Sequence, residues 1–476
     1  MGFAIPGVGK EKELHVVTSG DLRGFVNEVF HLDFHTFIEG TVGNFFGISR
    51  GAVLSCMFVG LFGALWHLIP NLPLFAFAWI VGTMPLWLPV FAIIGGWKAW
   101  VWYIHAQFLT SKKPLLLEMK MARNTVKSPR GMEAVLSQLW IDASETTFMD
   151  RKWMGAVRPV FSLEIASFGG EVHFYIWTWE AYRSIVEASF YAQYPEVELI
   201  PAEDYASKFH YDPAETMCYV TDYRLEPKSD AYPIKTYIEF ELDKDPKEEY
   251  KVDPLAEITD LMSNLKPQEQ VWIQIVFTCD KDNRRVPGGH WWEYEARYPG
   301  MVHDEIEKIR RELVGNPDSP DEKWKSYSRV QLYRVNEQIR LMERNMGKHS
   351  FNVGVRAAYM GHPSVFSGAQ QGKFKWLFMP FANKYYLNQL RPRRWHTPFD
   401  YPWQDLWGKR WSLMAERFFD CYRRRQHFYP PYQLPHNTVT TETLATIWHP
   451  LSSGVQSPGI QRITAKKAEA PPNLPK

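Results

Sequence analysis

Two long apolar runs interrupt an otherwise charged sequence. They cover residues 51–69 and 72–104, and a Pro- and Asn-containing turn at 70–73 separates them. About 20 apolar residues in a helix are enough to span the roughly 30 Å hydrocarbon core of a bilayer. The pattern therefore predicts a transmembrane helical hairpin at residues 51–108, with its second helix at 77–104.

Two alternatives to this hairpin remain at the level of the sequence. Pro85 and Pro89 would divide the second run, which allows three short segments, and a hairpin buried in a soluble core is also possible. The segment Trp97–Tyr103 is rich in Trp and Tyr, which concentrate at bilayer interfaces and favour the membrane interpretation. Arg50 precedes the hairpin and a basic cluster starting at Lys112 follows it, so the positive-inside rule predicts both termini and the bulk of the chain in the cytoplasm.

Residues 1–50 are predicted to form an N-terminal cytoplasmic or interfacial segment. Within it, residues 22–48 alternate aromatic and sparse charged positions, which fits an amphipathic helix on the membrane or an ordinary surface helix. His31, His35 and Glu39 have the spacing of one helix face, where two imidazoles and a carboxylate can bind a metal. Because only two nitrogen ligands are offered among aromatic neighbours, we expect no metal there.

Residues 112–210 are predicted to form a first cytoplasmic unit. Its apolar pattern alternates between strand and helix periods in the order β-α-β-β-α-β, which is typical of a split βαβ, or ferredoxin-like, unit. The predicted elements are Leu115–Met121, Ser128–Trp140, Phe161–Ser167, Val172–Trp177, Glu180–Tyr191 and Val197–Ile200.

Residues 211–455 are predicted to form a second, looser α+β unit of the same kind. A charged helical insertion at 291–347 either packs on this unit or projects from it as an arm, and residues 456–476 have the composition of a flexible linker. The fold class is thus α+β, a membrane hairpin followed by tandem ferredoxin-like units. The predicted elements of the second unit are strands at Met217–Tyr223, Thr236–Glu241, Val271–Thr278 and Phe351–Met360, and helices at Pro254–Leu265 and Ser367–Phe381.

Overall composition hides this division. The chain has 54 Lys and Arg against 53 Asp and Glu, and this net charge of +1 excludes a protein that is polybasic or acidic as a whole. Between Gly51 and Ser111, however, Lys98 is the only Asp, Glu, Lys or Arg. The four cysteines have no C-x-x-C spacing, which fits a reducing compartment.

The motifs of several enzyme classes are missing from the sequence. It contains no phosphate-binding G-x-x-x-x-G-K-[ST] loop, no G-x-S-x-G elbow and no H-E-x-x-H pair. His290, Glu293 and Glu295 surround two tryptophans after a Gly-Gly turn, but their alternation indicates a strand or loop edge rather than a catalytic group. We therefore expect a protein that is not an enzyme and carries no cofactor.

Charge is uneven within the cytoplasmic part. Residues 239–260 contain nine acids against three lysines, whereas residues 373–425 contain twelve basic residues against four acids, with interleaved tryptophans. Such a basic, aromatic-rich stretch can bind nucleic acid or anionic lipid head groups, or it can be a solvated surface. The candidate contact residues are Arg391, Arg393, Arg394, Arg423, Arg424 and Arg425.

A series of modest motifs occurs in a recognisable order from about residue 84 to the end. The motifs are Leu117-Glu118-Met119-Lys120, Lys127-Ser128-Pro129, Phe161-Ser162-Leu163-Glu164-Ile165, His173-Phe174-Tyr175-Ile176, Tyr191-Ala192-Gln193-Tyr194-Pro195, Asp253-Pro254-Leu255-Ala256, Gln270-Val271-Trp272-Ile273-Gln274 and the stretch from Thr441 to Pro450. Together they resemble the N-terminal, membrane-anchored region of conjugation-type ATPases of the HerA–FtsK superfamily. These are type IV secretion-like proteins of candidate-phyla bacteria.

The resemblance implies a function and a location. In that family a stretch like Ala445–Pro450 and a linker like Lys466–Pro475 lead into the motor domain, which this sequence lacks. We therefore expect the motor to be a separate polypeptide, or the chain to be a truncated or split product.

The expected function is a non-enzymatic adaptor of the bacterial inner membrane that docks a separately encoded HerA/FtsK-type ATPase of a secretion, conjugation or DNA-translocation machine. The alternative is a membrane scaffold of a cell-envelope assembly with no motor. Expected partners are that ATPase, the lipid bilayer and further copies of the chain, with nucleic acid left open.

Overall fold

The computed structural model describes most of the chain from Arg50 onward. The chain divides into two compact units, Met1–Phe91 with Phe399–Leu406, and Ala92–Pro398 with Trp407–Lys476. The predicted N-terminal surface helix, with His31, His35 and Glu39, lies outside the described residues. The described residues are 50–122, 128–145, 147–244, 253–314, 329–383, 386–397, 402–405, 407–452 and 458–463.

Both apolar runs are helical. Helix α1 covers Arg50–Leu68 and helix α2 covers Leu72–Thr110, and α2 continues through Pro85 and Pro89 instead of breaking into shorter segments. Within the described residues, one helix is long and apolar enough to cross a membrane, from Pro73 to Thr110, and none of its most apolar window is buried. The alternative of a buried core hairpin is therefore wrong for this most apolar part of α2.

The rest of the described chain builds one large sheet. Eight strands pair antiparallel in the order β10-β5-β9-β6-β2-β3-β1-β4, and the ninth strand, β11, pairs with β9. Strands β7 and β8 form a separate two-stranded hairpin. The strands are β1 Pro114–Lys120, β2 Phe161–Phe168, β3 Glu171–Trp179, β4 Glu198–Pro201, β5 Met217–Glu226, β6 Glu269–Cys279, β7 Asn283–Arg285, β8 Tyr294–Ala296, β9 Ser350–Gly361, β10 Gln389–Arg393 and β11 Asn437–Thr440.

In the described parts of the chain, ten further helices connect or cover these strands. They are α3 Arg130–Gln138, α4 Phe148–Lys152, α5 Arg183–Gln193, α6 Tyr205–Lys208, α7 Pro254–Ser263, α8 Arg297–Val314, α9 Arg329–Met346, α10 Gly368–Lys375, α11 Lys409–Arg423 and α12 Thr441–Ile447.

Two halves of this sheet repeat one topology. In the first, the strand order is β4-β1-β3-β2, with α3 between β1 and β2 and α5 between β3 and β4. In the second it is β10-β5-β9-β6, with α7 and α10 in the corresponding places. The halves join where β2 pairs with β6 in register from Phe161–Phe277 to Phe168–Gln270. The predicted units therefore share one continuous sheet.

Both faces of the sheet are buried, which explains why its strands are apolar almost throughout. One face packs against α3, α5, α7 and α12, with Leu163, Ile273 and Val355 among its core residues. The other face packs against α11 and α6, with Trp272 and Tyr422 at its centre. This second face also contains Leu116, so the core begins directly after α2 ends.

One predicted strand is absent. Residues 236–241 form a series of turns, in which the Glu239 and Phe240 N–H groups donate to the Thr236 carbonyl. The Glu239 carboxylate accepts hydrogen bonds from both the N–H and the hydroxyl of Thr236. The alternating pattern was misleading because local side-chain bonds compete with strand pairing.

The charged insertion is a packed helical pair. Helices α8 and α9 bury Tyr298, Val302 and Met342 together with Tyr232 of the second half, so the pair lies on the sheet unit and is not a free arm in the described residues. Strand β8 lies at the start of the insertion and pairs with β7, which precedes it, in agreement with the strand or loop edge expected around residues 290–295. The Asn316-Pro317 break lies outside the described residues.

The C-terminal part of the sequence returns to the core. Every residue of α12 is buried, and the His449 ring contacts the carboxylate of Asp253 at 3.1 Å. The Val172 N–H donates to the Gly459 carbonyl, and the Ile463 N–H donates to the Met121 carbonyl. The packed chain thus extends to Ile463, past the predicted start of the linker at 456.

Candidate functional site: a buried polar row under helix α11

A row of polar side chains crosses the face of the sheet that α11 covers. Each member lies directly opposite the next on a neighbouring strand, so the antiparallel register places them side by side. Such a row in a buried sheet is costly unless its members bond to one another. In order across the sheet the row is Glu118, Tyr175, Glu164, Gln274, Arg356, Asp222 and Arg393.

Glu164 is the centre of this row and is fully buried. Its Oε1 accepts hydrogen bonds from Ser162 Oγ at 2.8 Å and from Gln274 Nε2 at 2.7 Å. Its Oε2 accepts from the Tyr205 hydroxyl at 2.7 Å. Arg425 also donates to both carboxylate oxygens, at 3.0 and 3.2 Å. The carboxylate is therefore saturated with donors and held in one position.

Arg425 is the main partner of Glu164 and is also buried, with 1% of its side chain exposed. Its Nη2 donates to Asp204 Oδ1 at 2.8 Å, and its Nη1 donates to Asp204 Oδ2 and to the Arg423 carbonyl. All five N–H donors of the guanidinium are thus used. Burial alone would lower the pKa of Arg425, but the charges of Glu164 and Asp204 raise it well above its ordinary value.

The end of α11 explains why Arg425 points inward. Arg425 has a φ of +51°, its N–H donates to the Tyr422 carbonyl, and the next N–H, of Gln426, donates to the Cys421 carbonyl. This is a Schellman motif, whose left-handed position is usually glycine. Here an arginine takes it, since the ion pairs with Glu164 and Asp204 offset the backbone strain.

The second charge pair in the row is Arg356 with Asp222, on β9 and β5. Arg356 is fully buried and donates from Nε to Gln274 Oε1 at 2.6 Å. Burial raises the pKa of Asp222 to about 6, although the nearby Arg356 charge lowers it. The row therefore links both halves of the sheet through Gln274.

The first group of predicted contact residues lies on and just after β10. Arg393 donates to both oxygens of Glu226, and Arg391 lies 3.8 Å from the same carboxylate. Arg394 lies 3.9 Å from Asp222. Three arginines thus lie close to two carboxylates of β5. The net positive charge of this group is therefore smaller than the three arginines alone indicate.

The second predicted group, Arg423 to Arg425, lies at the end of α11. Arg423 and Arg424 both bond to Asp420, and each is about half exposed. Arg425 was expected to contact nucleic acid or lipid together with its neighbours. That expectation conflicts with the structure, since its guanidinium is buried and its donors are occupied by Glu164, Asp204 and a carbonyl.

A cavity of about 210 Å³ opens between the end of α2 and the end of α11. The cations Lys112, Arg423 and Arg424 are among the residues that line it. Asp204 is the acidic residue in the lining, and its carboxylate is bound to Arg425. Trp177 and Trp179 form an aromatic part of the wall. This arrangement can hold a small anionic group such as a phosphate.

A buried histidine in the cavity wall makes stability sensitive to acid. His427 contacts the Pro435 carbonyl through Nε2 at 3.1 Å, and burial, assisted by the Arg356 charge, lowers its pKa to about 3. The folded state thus keeps His427 neutral, while the unfolded chain takes up a proton below its ordinary pKa of 6.5. The low pKa of His427 therefore has little effect on the free energy of unfolding above pH 6.5. As the pH falls below 6.5, the unfolded chain gains a proton that the folded state does not, and the free energy of unfolding decreases.

We expect His427→Gln to flatten this dependence on pH. Between pH 6.5 and 5, we expect the free energy of unfolding of the wild type to decrease by about 2 kcal/mol because of His427. The variant has no histidine at this position, so this decrease is absent. Denaturant unfolding of the full chain in detergent at several pH values measures the difference. His362→Gln, at an exposed histidine, is the control, and equal slopes for both variants would contradict the assignment.

The residues that matter most in this site were not singled out in the sequence. Glu164, Gln274 and Arg356 are long polar residues in the middle of strands that are buried over nearly their whole length. A polar side chain in such a strand indicates a buried partner, which is the signal that could have identified them. Within the described ranges, no group of three or more His, Cys, Asp or Glu side chains could hold a metal ion.

The histidine group at 290–295 is part of the β7–β8 hairpin. The His290 ring stacks on Trp292 with centroids 4.7 Å apart, and the His290 N–H donates to Glu293. Glu295 pairs with Arg284. These contacts stabilise a turn, as the alternating pattern indicated.

Comparison with models of known protein families finds none that matches this chain, and a search of curated proteins finds no match either.

Proposed function

We propose that this protein is a membrane-anchored adaptor without enzymatic activity, which holds its sheet in a fixed orientation at the membrane surface. In this proposal it positions a separate cytoplasmic ATPase of the HerA–FtsK type in a secretion, conjugation or DNA-translocation machine. The observation that carries the proposal is the continuity of α2 with the sheet unit. The 39 residues of α2 extend about 58 Å, roughly twice what the hydrocarbon core requires.

The excess length of α2 is bonded into the sheet unit. Ile104 is buried, and Phe108 and Leu109 pack on the core of the face that carries the polar row. The Trp100 indole N–H donates to the Lys152 carbonyl at 3.1 Å. Only Lys112 and Lys113 separate Ser111 from the start of β1 at Pro114. The contacts at residues 100–109 hold the end of α2 on the sheet unit, and an adaptor at a membrane needs such an attachment.

The fold proposed for this adaptor follows from the two repeated halves. Each has the β-α-β-β-α-β element order and the strand order 4-1-3-2, which supports two ferredoxin-like units joined edge to edge. We further propose that α1 and α2 form the two spans of a hairpin in the bacterial inner membrane. The even number of spans then leaves both termini in the cytoplasm.

The absence of enzymatic activity is proposed from how the buried charged groups are used. Glu164, Asp204 and Arg425 satisfy one another, and Arg356 donates to Gln274, to Cys421 Sγ and to the Gln426 carbonyl. Groups committed in this way stabilise a fold instead of turning over a substrate. The surplus positive charge lies in the cavity at Lys112, Arg423 and Arg424, and we propose that this end of α11 faces the partner.

We expect the full chain, purified in detergent, to recover a HerA-type ATPase encoded beside it. Arg423→Glu with Arg424→Glu reverses the surplus charge and is expected to reduce this recovery at least tenfold, an effect typical of a lost charge-complementary contact. Arg417→Glu, at an exposed arginine on the same helix, is the matched control. Quantitative immunoblotting of the eluate measures the recovery.

Different outcomes of this experiment separate the alternatives. Recovery of further copies of this chain with no ATPase would favour the envelope scaffold without a motor. Salt-dependent DNA binding that is lost in the double variant would favour nucleic acid as the ligand of Arg423 and Arg424. Equal ATPase recovery by all three proteins would mean that this end of α11 is not the docking surface.

A further inference from the structure

Helix α4 exposes an unusual amount of apolar surface. Phe148, Met149, Trp153 and Met154, on or just after α4, are 56%, 54%, 50% and 67% exposed. Large exposed apolar patches in proteins mark interaction or membrane surfaces. Below, these four side chains are called the α4 patch.

The patch is held in place by local structure. The Asp150 N–H donates to Thr147 Oγ1 at 3.1 Å, and the Thr147 N–H donates to Asp150 Oδ2 at 2.9 Å, which forms a capping box. The capping box therefore fixes the conformation of this short helix, and its apolar side chains remain exposed.

The α4 patch is continuous with the aromatic part of α2. The Trp97 ring stacks on Phe148 with centroids 6.4 Å apart, and Trp153 contacts both Trp97 and Trp100 edge to face. The Trp100 indole N–H donates to the Lys152 carbonyl. The two aromatic groups thus form one surface beside the membrane helix.

The position of this surface along α2 matches the boundary of a bilayer. If the span begins at Pro73, about 20 residues cross the hydrocarbon core and end near residue 93. The head-group layer, roughly 5–7 Å thick on each side, covers about three to five residues more. Trp97, and with it Phe148, falls in this layer.

The charges around the patch suit an anionic surface. Lys98 lies on α2 beside Trp97, and Arg151 and Lys152 lie on α4 itself. The acidic residue of α4, Asp150, is engaged in the capping box. Aromatic and apolar side chains with basic neighbours are typical of elements that lie in the head-group region of anionic bilayers.

We propose that residues 147–154 form a second membrane contact, with the α4 patch inserted into the head-group region of an anionic phospholipid bilayer. This contact rests on the proposed membrane span of α2. Together with that span it gives the sheet unit two points of attachment, which restricts rotation about the helix axis.

Site-specific fluorescence in vesicles tests this contact in the full chain. A polarity-sensitive label is placed by Met154→Cys, Val90→Cys or Trp292→Cys, each in a Cys56→Ser background. The remaining cysteines are buried, which raises the pKa of Cys218 to about 12 and that of Cys279 and Cys421 to about 11, so their thiols react slowly. Trp292 is an exposed aromatic residue of the β7–β8 hairpin and serves as the matched control.

The expected result is strong quenching at position 154 by lipids that carry a bromine or nitroxide near the head group, several-fold more than at position 292. Aqueous iodide is expected to quench position 292 the most. In zwitterionic phosphatidylcholine the lipid quenching at 154 is expected to fall relative to vesicles that contain phosphatidylglycerol. Arg151→Gln with Lys152→Gln is expected to remove that difference.

The label at position 90 reports on the proposed membrane span of α2, whereas the label at position 154 reports on the second contact. The two proposals can therefore fail independently. Lipid quenching at 90 with iodide quenching at 154 would overturn the second contact and leave the span intact. Iodide quenching at both positions would overturn the span as well. Protection of 154 from both quenchers would mean that a protein covers the patch, which would also overturn the proposal.

Discussion

Replacement of Arg425 by methionine is expected to lower the free energy of unfolding by about 3–5 kcal/mol. The substitution leaves Glu164 buried without its cation and leaves Asp204 without its bidentate partner. A buried carboxylate that loses its cation is costly, because the neutral donors that remain at Glu164, from Ser162, Gln274 and Tyr205, do not balance its charge. Denaturant unfolding of the full chain in detergent micelles measures this loss.

Two further variants make this prediction specific. Arg424→Met removes an exposed arginine one position earlier, and its pair with Asp420 contributes about 0–1 kcal/mol. The double variant Arg425→Met with Glu164→Gln is expected to recover part of the lost stability, since it removes the unpaired charge. If the double variant is no more stable than Arg425→Met alone, the ion pair is not what holds Arg425 in place.

Replacement of Gly155 by alanine is expected to detach the end of α2 from the sheet unit. Gly155 has a φ of +65°, and a Cβ there would overlap the Ile104 carbonyl group and approach the His105 nitrogen to 3.0 Å. Both contacts are with helix backbone, which cannot rotate away as a side chain can. We expect a cost of about 1–3 kcal/mol from backbone strain and a similar further amount from the overlap.

Hydrogen exchange followed by mass spectrometry locates this effect. Amides of residues 100–110 and 148–156 are expected to lose protection in the variant, whereas the central strands β2 and β6 keep theirs. Gly288→Ala is the matched control, because Gly288 also has a positive φ, of +75°, but faces open space. Equal losses of protection in both variants would show that backbone strain, and not the contact with α2, explains the result.

The elements predicted from periodicity agree with the structure wherever burial on the sheet imposed the pattern. The predicted strands at Phe161–Ser167, Val271–Thr278 and Phe351–Met360 coincide with β2, β6 and β9, the buried centre of the sheet. The predicted strand at Thr236–Glu241 was wrong, since its alternation arises from turns whose side chains bond locally. Alternation alone does not distinguish a strand from a series of turns with one buried side.

The charged residues of the site could be predicted much less well. Arg391, Arg393 and Arg394 were grouped by proximity in the sequence, and the structure also groups them, around Glu226 and Asp222. Arg423, Arg424 and Arg425 are also adjacent in sequence, yet the left-handed residue at the end of α11 turns the third inward. A run of three like charges does not reveal which of them points toward the core.

The sequence alone determined the apolar runs, the absence of several enzyme motifs and most of the strand and helix positions. These features depend on local periodicity and composition, which can be read along the chain. The partners of the charged residues do not. Arg425 lies 261 positions from Glu164 and 221 from Asp204, and Arg393 lies 167 positions from Glu226. The antiparallel register of the strands aligns Glu164, Gln274, Arg356 and Asp222 in one row, and the packing of α11 on that face brings Arg425 to Glu164.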